Sequence, residues 1–172
     1  MSKLMVVVAI VTTAATLGLV NGGESAFAHD CSVIFGGSGG FQLPGNLVVG
    51  SDGDDKIDCS GSSVGHLIHG GDGDDEIVGS AASFDVIFGD AGRDEIVGGD
   101  GDDFIDGGDD RDDLHGGDGG DVVFGGGDND VIHGGDGTDL LDGQAGDRDL
   151  VNGGKDTDTC FGEKPIACEI IP

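Results

Sequence analysis

GDAGRDEIV GGDGDDFID GGDDRDDLH GGDGGDVVF GGGDNDVIH GGDGTDLLD, residues 89–142, is six nine-residue units in succession without a gap. The template is G-G-x-G-x-D-x-U-x, with U a large aliphatic residue. The first six positions have turn composition, because Gly accepts positive φ and close backbone approach and Asp tolerates turn geometry. The last three, x-U-x, predict a very short strand with its central residue pointing inward and its two neighbours outward. The U residues are Ile96, Ile105, Leu114, Val123, Ile132 and Leu141, aliphatic and mostly β-branched, as a pleated core requires. One unit makes a turn and a strand, and two make a coil. Strands eighteen residues apart then stack into two parallel sheets, with the U residues as the only core between them. The predicted fold is all-β: a parallel β-roll, or two-sheet right-handed β-helix.

Position six carries the chemistry. Its carboxylates in this run are Asp94, Asp103, Asp112, Asp121, Asp130 and Asp139. Turns one coil apart stack on the same edge, so each of these Asp faces the turn of the next coil. Carboxylates and turn carbonyls are hard oxygen ligands. They suit Ca²⁺, which takes about six to eight oxygens in flexible geometry, better than Mg²⁺, which dehydrates reluctantly. The alternative is a disordered acidic Gly/Asp linker, but disorder would not need an aliphatic residue at every eighth position.

The nonapeptide is the pattern of calcium-binding parallel β-helix repeats. Over residues 50–161 the chain resembles the RTX, or haemolysin-type, calcium-binding family with its β-roll. That resemblance implies side-chain ligands at position six: Asp55, Asp75, Asp94, Asp103, Asp112, Asp121, Asp130, Asp139 and Asp158. It also implies contributions from position three, here Asp52, Asp72, Asp100, Asp109, Asp118 and Asp136, with turn carbonyls completing each shell. Pairing good neighbouring turns gives four sites on the edge that begins at Gly50 and three on the other, about seven Ca²⁺ ions in all.

Outside the clean run the units vary. GSDGDDKID (50–58) and GGDGDDEIV (70–78) fit, while residues 59–69 are two residues too long and lack the turn carboxylate. Residues 79–88 and 143–152 each carry one extra residue, with Asp85 and Asp149 near position six. Residues 153–161 fit, with Cys160 in the U slot.

The chain has 172 residues, 35 Asp and Glu against 7 Lys and Arg, and a formal charge of −28. Such a chain attracts cations and is unsuited to nucleic acid, which needs basic surface. Trp and Tyr are absent, and the 38 Gly raise the cost of ordering the backbone, which metal binding can offset. Residues 1–28 read as a secretory signal: Lys3, an apolar stretch over residues 4–20, and Ala26-Phe27-Ala28 as an A-x-A cleavage site. After cleavage no stable membrane span is expected. The long RTX toxins carry the opposite arrangement, an uncleaved C-terminal signal. Residues 29–49 form a leading cap, 50–161 the calcium-binding roll, and 162–172 a C-terminal cap. The expectation is a secreted, extracellular chain.

Four cysteines in an exported chain suggest two disulfides, for which three connectivities exist. Cys31 and Cys59 lie at the start and Cys160 and Cys168 at the end, favouring one staple at each end. A zinc cluster is the alternative, though no C-x-x-C spacing is present. The Cys168-Glu169 ending resembles small secreted RTX proteins of the actinobacterial type.

No catalytic constellation is apparent, so the chain reads as no enzyme. His115 and His133 are placed side by side on one sheet, as solvated residues in a tolerant slot. The outer faces are unequal. The sheet after the Gly50 turn presents Lys56/Asp58, Glu76/Val78, Glu95/Val97, Asp113/His115 and Val131/His133. The other presents Val86/Phe88, Phe104/Asp106, Val122/Phe124, Leu140/Asp142 and Thr159/Phe161, an apolar ridge centred on Phe88, Val122, Phe124 and Leu140. Either the termini cover it, or it binds a cell-surface, matrix or second-copy partner through the Phe88/Phe124 face. The alternative function is therefore an adhesive or matrix module.

Overall fold

The computed structural model describes residues 31–37, 40–42, 46–146, 148–162 and 165–168. The predicted signal segment lies outside these residues, as does Leu43 of the leading cap. Among the described residues the chain forms two eight-stranded sheets. The first runs through Ser32–Ile34, Lys56–Asp58, Glu76–Val78, Glu95–Asp100, Asp113–Asp118, Val131–Asp136, Leu150–Lys155 and Pro165–Ala167. The second runs through Phe41–Gln42, Leu47–Val49, Leu67–Asp72, Val86–Ala91, Phe104–Asp109, Val122–Gly127, Leu140–Ala145 and Thr159–Phe161. From Leu47–Val49 onward successive strands alternate between the sheets, and neighbours within a sheet pair in parallel one coil apart, as in Leu114 opposite Ile132 and Val123 opposite Leu141. This is the two-sheet parallel β-roll that the nine-residue period predicts.

The U residues form two facing files. Ile57, Ile77, Ile96, Leu114, Ile132 and Val151 line one sheet; Val48, Ile68, Ile87, Ile105, Val123 and Leu141 line the other, and every one is fully buried. Ile68 holds its slot although its unit is two residues too long, so the extra length bulges into the turn and leaves the register intact. Val48 extends the core ahead of Gly50, because Leu47–Val49 pairs in parallel with Leu67–Asp72. Cys160, in the last U slot, is only partly buried and packs against the end of the file.

The strands are longer than x-U-x. In the regular coils they continue through positions one to three of the next turn, as in Glu95–Asp100, with Gly117 opposite Gly135 and Gly99. Glycine permits this. A Cβ on Gly98, at position one, would lie 2.5 Å from the Gly116 carbonyl oxygen and 2.6 Å from Asp103 Oδ2. Gly99, at position two, has φ 118° and faces the Ser80 carbonyl oxygen of the preceding coil. Turn composition and ladder pairing coexist because the Gly-Gly backbone lets coils approach that closely.

The described terminal segments extend the sheets in plane. Ser32–Ile34 pairs antiparallel with Lys56–Asp58, and Phe41–Gln42 antiparallel with Leu47–Val49. Pro165–Ala167 adds to Leu150–Lys155 with a register shift at Val151/Asn152. These additions occupy strand edges that an open coil end would expose. Disulfides Cys31–Cys59 and Cys160–Cys168 fasten the two ends in the expected pairing. No helix among the described residues is long and apolar enough to cross a membrane.

Candidate metal centres

Each turn edge carries a file of position-six side chains linked coil to coil. On the first edge the backbone N–H of Asp55 donates to Asp75 Oδ1 (2.7 Å) and that of Asp75 to Asp94 Oδ1 (2.9 Å). Asp94 donates to Asp112 (2.8 Å), Asp112 to Asp130 (2.9 Å) and Asp130 to Asp149 (3.2 Å) in the same way. On the second edge Asp85 donates to Asp103 (2.7 Å), Asp103 to Asp121 (2.8 Å), Asp121 to Asp139 (2.8 Å) and Asp139 to Asp158 (3.1 Å). All of these carboxylates are buried, none more than 4% exposed.

The ladder uses one oxygen of each carboxylate. The other, Oδ2, is buried without a hydrogen-bond partner among the described residues at Asp75, Asp94, Asp103, Asp112, Asp121, Asp130, Asp139 and Asp149. A buried, unpaired anionic oxygen is costly, so such groups take up a proton or a cation. Burial pushes Asp112 up to about 8, Asp75 and Asp121 to about 7, and Asp94, Asp103 and Asp130 to about 6. The N–H bond from the preceding coil opposes the rise, and neighbouring carboxylates add to it. Asp139 is raised for the same reasons.

Turn geometry holds these groups in place. Positions two and four are left-handed: Gly117 and Gly119 have φ 127° and 140°. Where position four is Asp the angle persists, at Asp110 (74°), Asp128 (65°) and Asp156 (71°). Position-three side chains lie farther out. Asp52, Asp72, Asp100, Asp109 and Asp118 are exposed, and Asp136 is half-buried. Asp100, Asp118 and Asp136 stand in register on the second edge, and the next place in that file is Lys155. Its ammonium lies 2.5 Å from Asp136 Oδ2. The arrangement is a stack of oxygen-rich turns in which most inner carboxylates keep one oxygen without a partner among the described residues, whereas Asp55 Oδ2 and Asp85 Oδ2 accept the N–H of Ser51 and Ser80.

A family model described as the RTX calcium-binding nonapeptide repeat (4 copies) matches residues 67–83, 81–114 and 115–150. The chain carries RTX calcium-binding repeats. The stacked Asp-rich turns are therefore those of a calcium-binding structural domain, and the RTX repeat is a non-catalytic module. RTX-type proteins are typically secreted. A search of curated proteins and a search of solved structures each gave no match.

The irregular RTX units contribute more than their sequence suggests. Asp85 and Asp149, displaced by one-residue insertions, sit in the ladders beside the regular Asp. The second ladder begins at His66, whose N–H donates to Asp85 Oδ1 at 2.5 Å. His66 thus stands at position six of the irregular unit, a role that unit's length hides. Its one legible sign is its place immediately before the Leu67-Ile68-His69 strand triplet. Position-five carboxylates were also missed: Asp54, Asp74 and Asp102 accept N–H bonds from Asp74, Arg93 and Gly120 of the following coil.

The outer faces have the predicted register. On the first sheet the His115 and His133 rings stack with centroids 5.0 Å apart, and His115 Nε2 lies 3.1 Å from Asp113. On the second sheet Phe88 and Phe124 are separated in their own column by Asp106. Phe104, from the neighbouring column, bridges them with ring centroids 5.9 and 5.7 Å away. His69 stacks on Phe88 at 4.7 Å. Burial raises Asp106 above the ordinary carboxylate range.

Proposed function

We propose that this RTX domain is a secreted calcium-binding protein whose ions are integral to its fold. The position-six ligands are Asp55, Asp75, Asp94, Asp103, Asp112, Asp121, Asp130, Asp139 and Asp158. Asp52, Asp72, Asp100, Asp109, Asp118 and Asp136 contribute from position three, and turn carbonyls complete each shell. About seven ions are held, which would halve the formal charge of −28. The observation that carries this reading is the set of buried Oδ2 atoms that have no partners among the described residues, aligned along both edges.

The ions act by neutralisation and by closure. Stacked carboxylates one strand spacing apart, about 4.8 Å, repel strongly when unpaired. A divalent ion between two turns joins coils that the thin aliphatic core holds only weakly, so binding and folding are one event. Extracellular calcium modules typically bind at about 10⁻⁴ to 10⁻³ M, and that range is expected here. Calcium titration followed by circular dichroism, with metal analysis of the saturated protein, tests the proposal. A cooperative gain of β structure with about seven ions per chain supports it. At pH 8, a native spectrum in excess chelator with disulfides intact, or one or two ions per chain, overturns it.

A second reading is favoured by the second sheet. Its outer columns carry Leu67, Val86, Phe104, Val122 and Leu140 beside Phe88 and Phe124, and the described terminal strands extend the sheet edges without crossing this face. An adhesive or matrix role, or self-association, would use this surface while calcium rigidifies it.

A further inference from the structure

We infer that Cys31, Cys59 and His66 form a second, thiophilic metal site, closed in the disulfide state and opened to zinc by reduction. The ligand atoms of these three residues already lie within 4.8 Å of one another. Cys59 and His66 are buried, and Cys31 is partly buried. The His66 side chain is 1% exposed, and neither ring nitrogen has a hydrogen-bond partner among the described residues. Asp85 Oδ1 lies 3.4 Å from His66 Nδ1, beside the ring but not in hydrogen-bonding geometry with it.

This donor set differs in kind from the calcium turns. Two sulfurs and an imidazole suit Zn²⁺, whose sites commonly combine Cys and His in a tetrahedron, whereas Ca²⁺ takes oxygen. Three protein ligands leave the fourth position to water. A carboxylate beside a zinc-binding imidazole fixes the ring's orientation, the place Asp85 occupies. The location is also distinct. His66 ends the second carboxylate ladder, and its turn, residues 59–65, contains no carboxylate.

The chemistry balances with a dithiol as reductant. A dithiol thiolate attacks Cys31 Sγ, the more accessible sulfur, and Cys59 leaves as thiolate beside His66. The second dithiol sulfur then attacks the mixed disulfide, releasing Cys31 and leaving the reductant as a cyclic disulfide. Zn²⁺ displaces the two thiol protons and forms two Zn–S bonds. The ion thereby replaces the covalent staple that ties Ser32–Ile34 to Lys56–Asp58. The second cysteine pair has no such partner: among the described residues no histidine groups with Cys160 and Cys168.

The test uses the protein in excess calcium, with Co²⁺ as a spectroscopic substitute for Zn²⁺. Reduced protein is expected to bind one Co²⁺ with a thiolate-to-cobalt charge-transfer band that Zn²⁺ abolishes. The oxidised protein should show none. The band should persist in the Cys160→Ser/Cys168→Ser double variant, and His66→Gln should weaken Zn²⁺ about a hundredfold, since losing even an outer partner of a zinc ligand costs about 10–100-fold. No band in the reduced protein, a band lost with Cys160 and Cys168, or unchanged affinity in His66→Gln overturns the inference. Should His66→Gln fail to fold with calcium, the unsubstituted protein decides: cobalt-shifted proton resonances from one imidazole ring support the site, and their absence overturns it.

Discussion

The backbone N–H of Asp103 donates to Oδ1 of Asp121 at 2.8 Å, although the two residues stand a full coil apart. Each inner Asp is thus a backbone donor to one coil and a carboxylate acceptor from another. One oxygen is spent on stacking, and at Asp103, Asp121 and six others the second has no partner among the described residues and is the oxygen proposed to hold an ion. The residue that would bind calcium is also the residue that joins the coils, which ties metal affinity to fold stability residue by residue.

Removing an interior rung should therefore cost more than removing a terminal one. Asp121→Ala leaves the Asp103 N–H buried without an acceptor, a penalty of about 1–3 kcal/mol, and withdraws a proposed calcium ligand. Asp55 sits at a ladder end, where its carboxylate accepts from Gly36 N–H (2.6 Å) and Ser51 Oγ (2.9 Å). Calcium titrations monitored by circular dichroism should show a larger rise in midpoint for Asp121→Ala than for Asp55→Ala. The reverse order would mean that the ladder interior does not govern binding.

Protons should substitute partly for calcium. Asp75, Asp94, Asp103, Asp112, Asp121 and Asp130 rise from 3.8 to about 6 to 8 on folding, so the folded chain holds protons that the unfolded chain gives up. Stability of the calcium-free fold is then fully present below about pH 4 and is lost as pH rises through 6 to 8. In excess chelator, β structure should grow as pH falls across that window. Calcium binding near pH 7 should release protons, measurable as buffer-dependent heat. A calcium-free spectrum that is most native at pH 8 would refute this sign.

Adjacent glycines should differ sharply. Gly126 has φ 109°, and a Cβ there meets the Gly108 carbonyl oxygen of the preceding coil; a Cβ on Gly127 finds nothing nearer than 3.7 Å. Gly126→Ala should destabilise the calcium-bound protein by about 1–3 kcal/mol, the cost of a strained backbone, and Gly127→Ala should be nearly neutral. Chemical denaturation in saturating calcium would read both.

The core was legible because a nine-residue period places an aliphatic at position eight whatever the turn contains. Even Ile68 and Ile87, in units of irregular length, could be placed by their strand triplets. The ladder was legible only in part. Periodicity marks position six but does not reveal that one carboxylate oxygen is taken by a backbone N–H. His66 was hidden because its unit carries two extra residues and no acidic side chain. The strand length was underestimated because Gly-Gly-x reads as a turn in isolation and becomes ladder only when an identical segment lies one coil away. The outer ridge was read in the right columns, but the bridging of Phe88 to Phe124 by Phe104 depends on ring orientations that spacing does not encode.

The second sheet's outer face yields the last prediction. Phe124 is half-buried beside Phe104, and its side chain points away from the fully buried file that contains Val123. Substituting it should therefore leave the ion-binding turns intact. If this face associates with a second copy or a partner, Phe124→Ser should abolish the association while moving the calcium midpoint by no more than about twofold, since single surface substitutions usually change stability by less than about 0.5 kcal/mol. Sedimentation velocity of the calcium-loaded protein over a range of concentrations reads self-association, and the same titration by circular dichroism reads calcium. A concentration-dependent species that survives Phe124→Ser places the interface elsewhere. Loss of the calcium-bound fold in this variant would make Phe124 part of the structural core. Because Asp106 sits between Phe88 and Phe124 with its carboxyl raised by burial, any association through this face should also strengthen as pH falls and Asp106 loses its charge.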